Sequence, residues 1–472
     1  MAEYLRNLIL NADSYKASHF LQYPPKTTRV SSYIESRGGK WDRAVFFGLQ
    51  MALIEYLSKP ITKADIDEAD EFWTEHGLPF HHSGWEHILN KHKGFLPLKI
   101  EAVEEGSVVP GHNVLLQVEN TDPECYWLTS YVETILMRAV WYPTTVCTNS
   151  FFCKKEILES LRRTSENADA VVGFKLHDFG FRGASSLESA AIGDAAHLVN
   201  FLGTDTVAGV LAAREYYGEK MAGYSIPAAE HSTMTAWGEG KGELDAFSNM
   251  LDQFAKQGKT VAVVSDSFDI YNACSSLWGG KLREQVEKSG ATIVVRPDSG
   301  EPVEVVPKVV ELLMEKFGFT VNAKGFKVLP DCIRIIQGDG INYESIGRIL
   351  AAMERHKLST ENIAFGMGGG LLQDFNRDTL MFAMKASAIE VGGKWRDVSK
   401  SPVDDAGKHS KKGRLALVKD KKGEYATVRL EELQDGQENL LKTVFENGKI
   451  TKKYSFAEIR KAASDSLEEM LS

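Results

Sequence analysis

"ATIVVRPDSGEPVEVVPKVVELLMEKFG", residues 291–318, runs a buried strand directly into a helix. Ile293, Val294 and Val295 form a short branched apolar run, as expected of a strand covered on both faces. Arg296, Pro297, Asp298, Ser299 and Gly300 follow as a polar tip with a bend. Val305, Val309, Leu312, Leu313 and Phe317 then recur at spacings that line one face of a helix. Strand, polar tip and helix make up the repeating unit of a parallel α/β fold.

The unit recurs along the chain. Its other strands are expected in "VVGFKLHDFGFRG" (171–183), "HLVNFLGTDT" (197–206), "GYSIPAAEHS" (223–232) and "TVAVVSDSFD" (260–269). "IRIIQGDG" (333–340), "NIAFGMGGG" (362–370) and "LMFAMKASAIEV" (380–391) complete the set. "YESIGRILAAMERHK" (343–357) reads as another amphipathic helix between them. Eight runs in about 220 residues fit an α/β barrel of (βα)8 type better than an open doubly wound sheet. That barrel occupies 146–391. Residues 1–145 mix strands, turns and helices, with helices expected over 125–141, near Asp122, and over 148–166. The segment 392–472 is charged and turn-rich, with a hairpin in "RLALVKDKKGEYATVRL" (414–430).

Bulk properties exclude several classes. A chain of 472 residues exceeds one ordinary domain. Its net charge of −10 argues against nucleic acid and anionic membranes as partners, while leaving room for a basic pocket. The N-terminus is too short in apolar residues and too polar for a signal peptide, and no run is long enough to cross a bilayer. Five scattered cysteines without a CxxC pair suit reduced thiols and a cytoplasmic location rather than a catalytic cysteine.

Read alone, "RPDSG" is equally an ion pair, a helix cap made by Asp298 or Ser299, or part of a site. The strand tips together supply His177, Asp178, Arg182, Asp205, Glu230, His231, Asp266, Asp269, Arg296, Asp298, Arg334 and Asp339. So many ionisable groups at one barrel mouth need a polar ligand or metal to balance them. "GMGGGLLQ" (366–373) follows the seventh strand, where barrels often bind phosphate on glycine N–H groups and a helix N-terminus; Arg377 follows it. With "QGDG" (337–340), this suits a phosphorylated sugar with Mg²⁺. Phe179, Asp205 and Arg296 could hold a flat ring bearing an amide. His197, His409 and the pair at 81–82 read as ordinary structural histidines.

"DSYK" (13–16), "QYPP" (22–25), "HDFGFRG", "GTDT", "PAAEHS", "VSDSFD", "RPDSG", "QGDG", "AFGMGGGLLQ", "SKKGRL" and "YSFAEIR" occur in this order. Together they closely resemble the nicotinamide phosphoribosyltransferases, from about residue 7 to about residue 462. The resemblance implies the type II phosphoribosyltransferase fold: an irregular α/β barrel, with 1–145 and 392–472 packed together as a discontinuous α+β domain. It implies a head-to-tail homodimer with shared active sites. It also implies transfer of phosphoribose from phosphoribosyl pyrophosphate to nicotinamide, with Mg²⁺, and ATP hydrolysis coupled through a phosphohistidine.

By the same resemblance, Phe179 stacks on the nicotinamide ring and Tyr15 of a second subunit on its other face. Asp205 accepts from the amide. Arg296 contacts base and diphosphate, and Arg182 and His231 also contact the diphosphate. Asp298, Gly338 and Asp339 hold the ribose; Gly368, Gly369 and Arg377 hold the 5′-phosphate. His231 is the phosphorylated residue, oriented by Glu230 and Asp269. Arg37, Lys385, Lys400 and Lys408 correspond to phosphate-facing basic residues. Phe181 stands where many relatives have tyrosine, and Ala383 where they have serine. The alternatives are nicotinate phosphoribosyltransferase, a barrel lyase or glycosidase using Glu230 and Asp269, and a non-catalytic binding protein. Asp205 disfavours the first, since a carboxylate repels nicotinate.

Overall fold

The computed structural model describes residues 6–400, 410–420 and 423–472, and they divide into two compact units. One gathers 149–214, 220–374 and 467–472 around a parallel sheet of six strands. The order across that sheet is Gly203–Thr204, Leu176–Asp178, Ile363–Met367, Ile333–Gln337, Thr292–Arg296, Thr260–Val264. The segment 224–228 reaches both edges. Tyr224 bridges Gly203, and Ala228 bridges Ala262. The sheet therefore curls round into an irregular barrel. Pro227 accepts from Ala262 N at 2.9 Å but has no N–H of its own, so this run joins by single bridges and forms no full strand.

Strand parity sorts the barrel. Ala262, Val294 and Ile336 pack together, with Ala364, Ile226 and Phe179 against them. Val261, Val263, Ile293, Val295 and Ile335, on the opposite face, are fully buried as well. Covered on both sides, the strands read as continuous apolar runs. The expected helix after the opening strand spans Pro302–Phe317 and buries Val305, Val309, Leu313 and Phe317. Pro302 stands at its first turn, and the N-cap is Glu301 without a side-chain bond. Neither Asp298 nor Ser299 caps it. The helix Tyr343–Arg355 is capped instead by Asn342, which accepts from Ser345 N at 2.9 Å.

The eighth run corrects the expected count. Ala383–Val391 lies in the other unit, paired antiparallel with Thr27–Glu35 in the register Tyr33↔Lys385 and Ile34↔Met384. The barrel unit's main block thus ends at 374 rather than 391. Lys385 and Ser387 interrupt the apolar run, a pattern an antiparallel strand tolerates and a doubly covered parallel strand does not.

The second unit gathers 1–148, 215–219 and 375–466. Its antiparallel sheet runs Lys394–Asp397, Ala383–Val391, Thr27–Glu35, Val114–Asn120, Leu98–Ala102, Lys442–Glu446, Lys449–Ile450. The expected hairpin is present as Leu415–Lys419 against Tyr425–Arg429. Residues 215–219 belong here because Tyr217 stacks on Phe47 at 5.3 Å and donates to Glu105 at 2.7 Å. The two helices expected over 125–141 and 148–166 are largely one, Glu133–Thr164, preceded by the short helix Leu128–Tyr131. Pro143 sits inside the long helix. Gly48, at φ +102°, accommodates the proline ring: a Cβ there would stand 2.4 Å from Pro143 Cγ.

Among the described residues no cysteine forms a disulfide, and four of the five are buried. Burial pushes the Cys274 thiol up to about 12, which leaves it inert as a nucleophile. His197 is a buried core residue bonded to Ser150 at 2.9 Å. His409 lies outside the described residues. Among the described residues no helix is long and apolar enough to cross a membrane.

Candidate active site

Arg296 ends its strand, and Pro297 turns the chain so that Asp298 comes back beside it. Arg296 Nη2 donates to both Asp298 oxygens, at 2.8 and 2.7 Å, and Nε donates to Oδ1 at 3.1 Å. The guanidinium also sits 5.6 Å from the centre of the Phe179 ring, a cation–π contact of about 0.5–1 kcal/mol. Glycines make this meeting possible. A Cβ on Gly338 would stand 3.2 Å from the Phe179 ring and 3.3 Å from Arg296 Nε. One on Gly366 would stand 1.9 Å from that ring. Gly366 therefore makes room for Phe179, while Gly368 and Gly369 open the short helix Gly369–Leu372.

His231 begins the helix His231–Thr235. Its Nε2 donates to Asp266 Oδ1 at 3.0 Å, and its Nδ1 lies 3.8 Å from Asp298 Oδ2. Asp266 Oδ2 accepts from Asp298 N at 3.0 Å, so one carboxylate ties the histidine to the "RPDSG" turn. Asp266 and Asp298, rather than Glu230 and Asp269, thus stand against the His231 ring. Glu230 accepts from Ser232 Oγ. Asp269 caps Ile270–Asn272, accepting from Tyr271 N at 2.9 Å and Asn272 N at 3.1 Å. A second correction concerns Arg334. It lies near the start of its strand and donates to the carbonyls of Leu329, Pro330 and Ile333, so it belongs to the N-terminal end of the barrel and not to the mouth.

Asp205 is exposed, and its carboxylate accepts from Ser225 Oγ at 2.5 Å. Arg182 is exposed on the short 3-10 helix Phe181–Gly183, and Asp339 is exposed on its loop. His177 is held below the ordinary histidine range by burial, with Asp205 opposing.

The remaining candidates belong to the other unit. Tyr15 is exposed there. Arg37 Nε donates to the buried Glu35 at 2.8 Å, and Lys411 Nζ donates to its other oxygen at 2.5 Å. Burial holds Lys385 below the usual lysine range, and the charges of Arg37, Lys400 and Arg377 add to that. These cations gather around few carboxylates, an arrangement suited to phosphate. Arg37 Nη2 is buried without a partner. Lys408 lies outside the described residues. Ser225 and Glu35 are the site residues that sequence reasoning did not name; Asp266 stood only among the strand tips, and Gly366 only within the glycine cradle.

Comparison with known proteins gives these contacts a context. The Nicotinate phosphoribosyltransferase (NAPRTase) family matches residues 174–449, and the Nicotinamide phosphoribosyltransferase N-terminal domain matches 7–100. A Xanthomonas campestris protein named nicotinamide phosphoribosyltransferase is 52% identical over 461 residues, covering 97% of this chain and 98% of that one. The chain belongs to the nicotinamide phosphoribosyltransferase family. It is a phosphoribosyltransferase. A homologue of the same name from Acinetobacter baylyi is 33% identical, over 97% of each chain. The fold is shared with the crystal structure of nicotinate-nucleotide pyrophosphorylase from Pyrococcus furiosus, at TM-score 0.65 and 17% identity, over 100% of this chain and 98% of that one. Human nicotinic acid phosphoribosyltransferase gives TM-score 0.58 at 18% identity, over 97% and 93%.

Beneath the mouth of this phosphoribosyltransferase lies a pair of buried acids. Asp178 accepts from Gly180 N at 2.6 Å, and Asp194 accepts from Thr204 Oγ1 at 2.7 Å. Their other oxygens are buried without a donor. Burial raises both, and Asp178 raises Asp194 further, well above the usual carboxylate range. One proton between the two carboxyls satisfies both oxygens. Backbone contacts carry this to the site, because Asp205 N donates to Asp178 O at 3.0 Å. A carboxyl raised on folding stabilises most below its unfolded value, near pH 4, and loses that contribution as pH rises toward its folded value. Asp194→Asn keeps a donor there without needing the proton. Its unfolding temperature should therefore fall less steeply than wild type's as pH rises above the ordinary carboxyl value of about 4 in thermal melts. Parallel curves for the two proteins would contradict the shared proton.

Proposed function

We propose that this enzyme transfers the phosphoribosyl group of phosphoribosyl pyrophosphate to nicotinamide, giving nicotinamide mononucleotide and pyrophosphate for NAD salvage. The meeting of Phe179, Arg296 and Asp298 at glycine-cleared strand ends carries the reading. The aromatic face suits a pyridine ring. Arg296, with Nε and Nη2 committed to Asp298, keeps Nη1 for the base amide or the diphosphate. Asp298 and Asp339 suit ribose hydroxyls, and Gly338 lets the sugar approach the backbone.

The bond from the anomeric carbon to pyrophosphate oxygen breaks and the bond to the ring nitrogen forms, through an oxocarbenium-like state. The ring nitrogen is already a nucleophile, so no general base is required. Positioning and charge stabilisation supply the rate. Carboxylates near the sugar stabilise its developing positive charge. Arg182, Arg296 and His231 stabilise the departing diphosphate. Gly368 and Gly369 fit the 5′-phosphate, and in the other unit the basic group of Arg37, Lys385 and Lys400 fits further phosphates.

Asp266, Asp298 and Asp339 have the hard oxygen chemistry for Mg²⁺. Among the described residues the clustered metal-type ligands lie elsewhere, so Mg²⁺ would be held mainly by substrate phosphates. When bound it neutralises the leaving pyrophosphate. ATP hydrolysis runs through His231: Asp266 holds Nε2–H, which leaves the Nδ1 lone pair to take the phosphoryl group. A second copy supplies Tyr15, in a homodimer. Reduced thiols fit a cytoplasmic enzyme.

A nicotinate substrate is the second reading, favoured by the family match over residues 174–449. Turnover on both bases tests it. Nicotinamide should be preferred strongly, and Asp205→Asn should narrow that preference about 10–100-fold, the worth of one charged hydrogen bond. Preference for nicotinate in the wild type would overturn the assignment.

A further inference from the structure

Among the described residues outside the barrel unit, one cluster of side chains has the character of a metal site. The helix His82–His92 carries His87 and ends on His92. Both rings turn Nε2 to one oxygen of Asp122: His92 at 2.6 Å and His87 at 2.9 Å. Lys91 Nζ reaches the same oxygen at 3.0 Å. The other oxygen is already used, accepting from Glu124 N at 3.0 Å. Burial opposes ionisation of Asp122, but His87, the Glu124 amide, His92 and Lys91 together hold it well below the usual carboxylate range. Three donors on one oxygen exceed its two lone pairs. The carboxylate side chain is 3% exposed, while that of Lys91 is 55% exposed and can swing into water.

We propose that His87, His92 and Asp122 bind a divalent transition-metal ion of the zinc type, displacing Lys91. Two imidazole nitrogens and one carboxylate oxygen suit zinc, nickel or cobalt and do not suit Mg²⁺. The ligand atoms lie within 4.8 Å of one another. Tetrahedral zinc ligands stand about 3.3 Å apart, so the two imidazole–carboxylate contacts open by less than about 1 Å and the pair of imidazole nitrogens closes by at most about 1.5 Å. His87 already has an outer partner: its Nδ1 lies 3.3 Å from Glu124 Oε2. That carboxylate accepts from Nδ1–H, and the Nε2 proton leaves to water as the metal takes the Nε2 lone pair. The ion pins the end of this helix to the turn after Val114–Asn120 and takes no part in phosphoribosyl transfer.

The test uses the full chain with His231→Gln, Cys332→Ser, His82→Gln and His356→Gln, which removes the partly exposed thiol and the other accessible histidines that stand beside carboxylates. Zn²⁺ is titrated by calorimetry and Co²⁺ by visible absorption. One equivalent is expected, with a tetrahedral or five-coordinate cobalt spectrum. His87→Gln with His92→Gln keeps donors toward Asp122, so the fold persists, and should weaken binding at least about tenfold. Lys91→Gln removes the competing cation and should tighten it. A parent that binds no zinc, an unchanged affinity in the double glutamine variant, or weaker binding in Lys91→Gln would overturn the proposal and leave a hydrogen-bond network that holds Asp122.

Discussion

Arg296→Ala is expected to lower kcat/KM for mononucleotide formation by about 10²–10³-fold, the loss that follows removal of one preorganised donor aimed at developing transition-state charge. On the proposed reaction the loss should fall mainly on kcat, because a guanidinium that meets charge growing as pyrophosphate leaves acts in the transition state. Arg296→Lys should not rescue it. An ammonium cannot reproduce the fork that holds Asp298 at 2.7 and 2.8 Å while leaving a third nitrogen free. Removing Arg296 also strands the Asp298 carboxylate, whose side chain is 15% exposed. Asp298→Asn in the same chain should therefore restore part of the lost stability without restoring turnover. Steady-state kinetics beside thermal melts separate the two effects. A variant with kcat/KM within about threefold of wild type would show that Arg296 is structural only.

The opening stretch shows what sequence could and could not reveal. Its strand and helix were legible because apolar spacing alone decides them, and the same holds for Thr260–Val264, Ile333–Gln337 and Ile363–Met367. The run "HLVNFLGTDT" instead begins at the end of the helix Leu187–His197 and joins the sheet only over Gly203–Thr204. The ion-pair and site readings of "RPDSG" turn out to be compatible, since Arg296 and Asp298 bond to each other beside Phe179. The strand Ala383–Val391 was misplaced because an apolar run does not state its partner; only the ladder with Thr27–Glu35 does. Position within a strand explains Arg334. It comes second in Ile333–Gln337, too early to reach the mouth, which strand length makes readable in principle. Gly366 looked like part of a phosphate cradle, and only the ring packed over it reveals its purpose. "VSDSFD" offered two aspartates. The one followed by a helix start, Asp269, is a cap, a preference that chain position already favoured. The one directly at the strand end, Asp266, is left for the histidine.

That distinction gives His231→Ala its sharpest form. The variant is expected to lose ATP hydrolysis and acid-labile phosphate altogether, while still making nicotinamide mononucleotide slowly, because no bond in the transfer itself passes through the imidazole. Asp266→Asn should lower phosphorylation about 10–100-fold: the amide oxygen still accepts from Nε2, but the negative charge that stabilises the growing imidazolium is gone. Asp269→Asn and Glu230→Gln should stay within a few-fold of wild type, since an asparagine caps Ile270–Asn272 as well as an aspartate does. Incubation with radiolabelled ATP, followed by acid and base treatment, reads the phosphohistidine directly, and coupled pyrophosphate release reads transfer. If Asp269→Asn lost phosphorylation and Asp266→Asn kept it, the 3.0 Å contact at Nε2 would not be the one that activates His231. If wild type formed no acid-labile phosphate, ATP would act elsewhere, and His231 would remain only as a contact for the departing diphosphate.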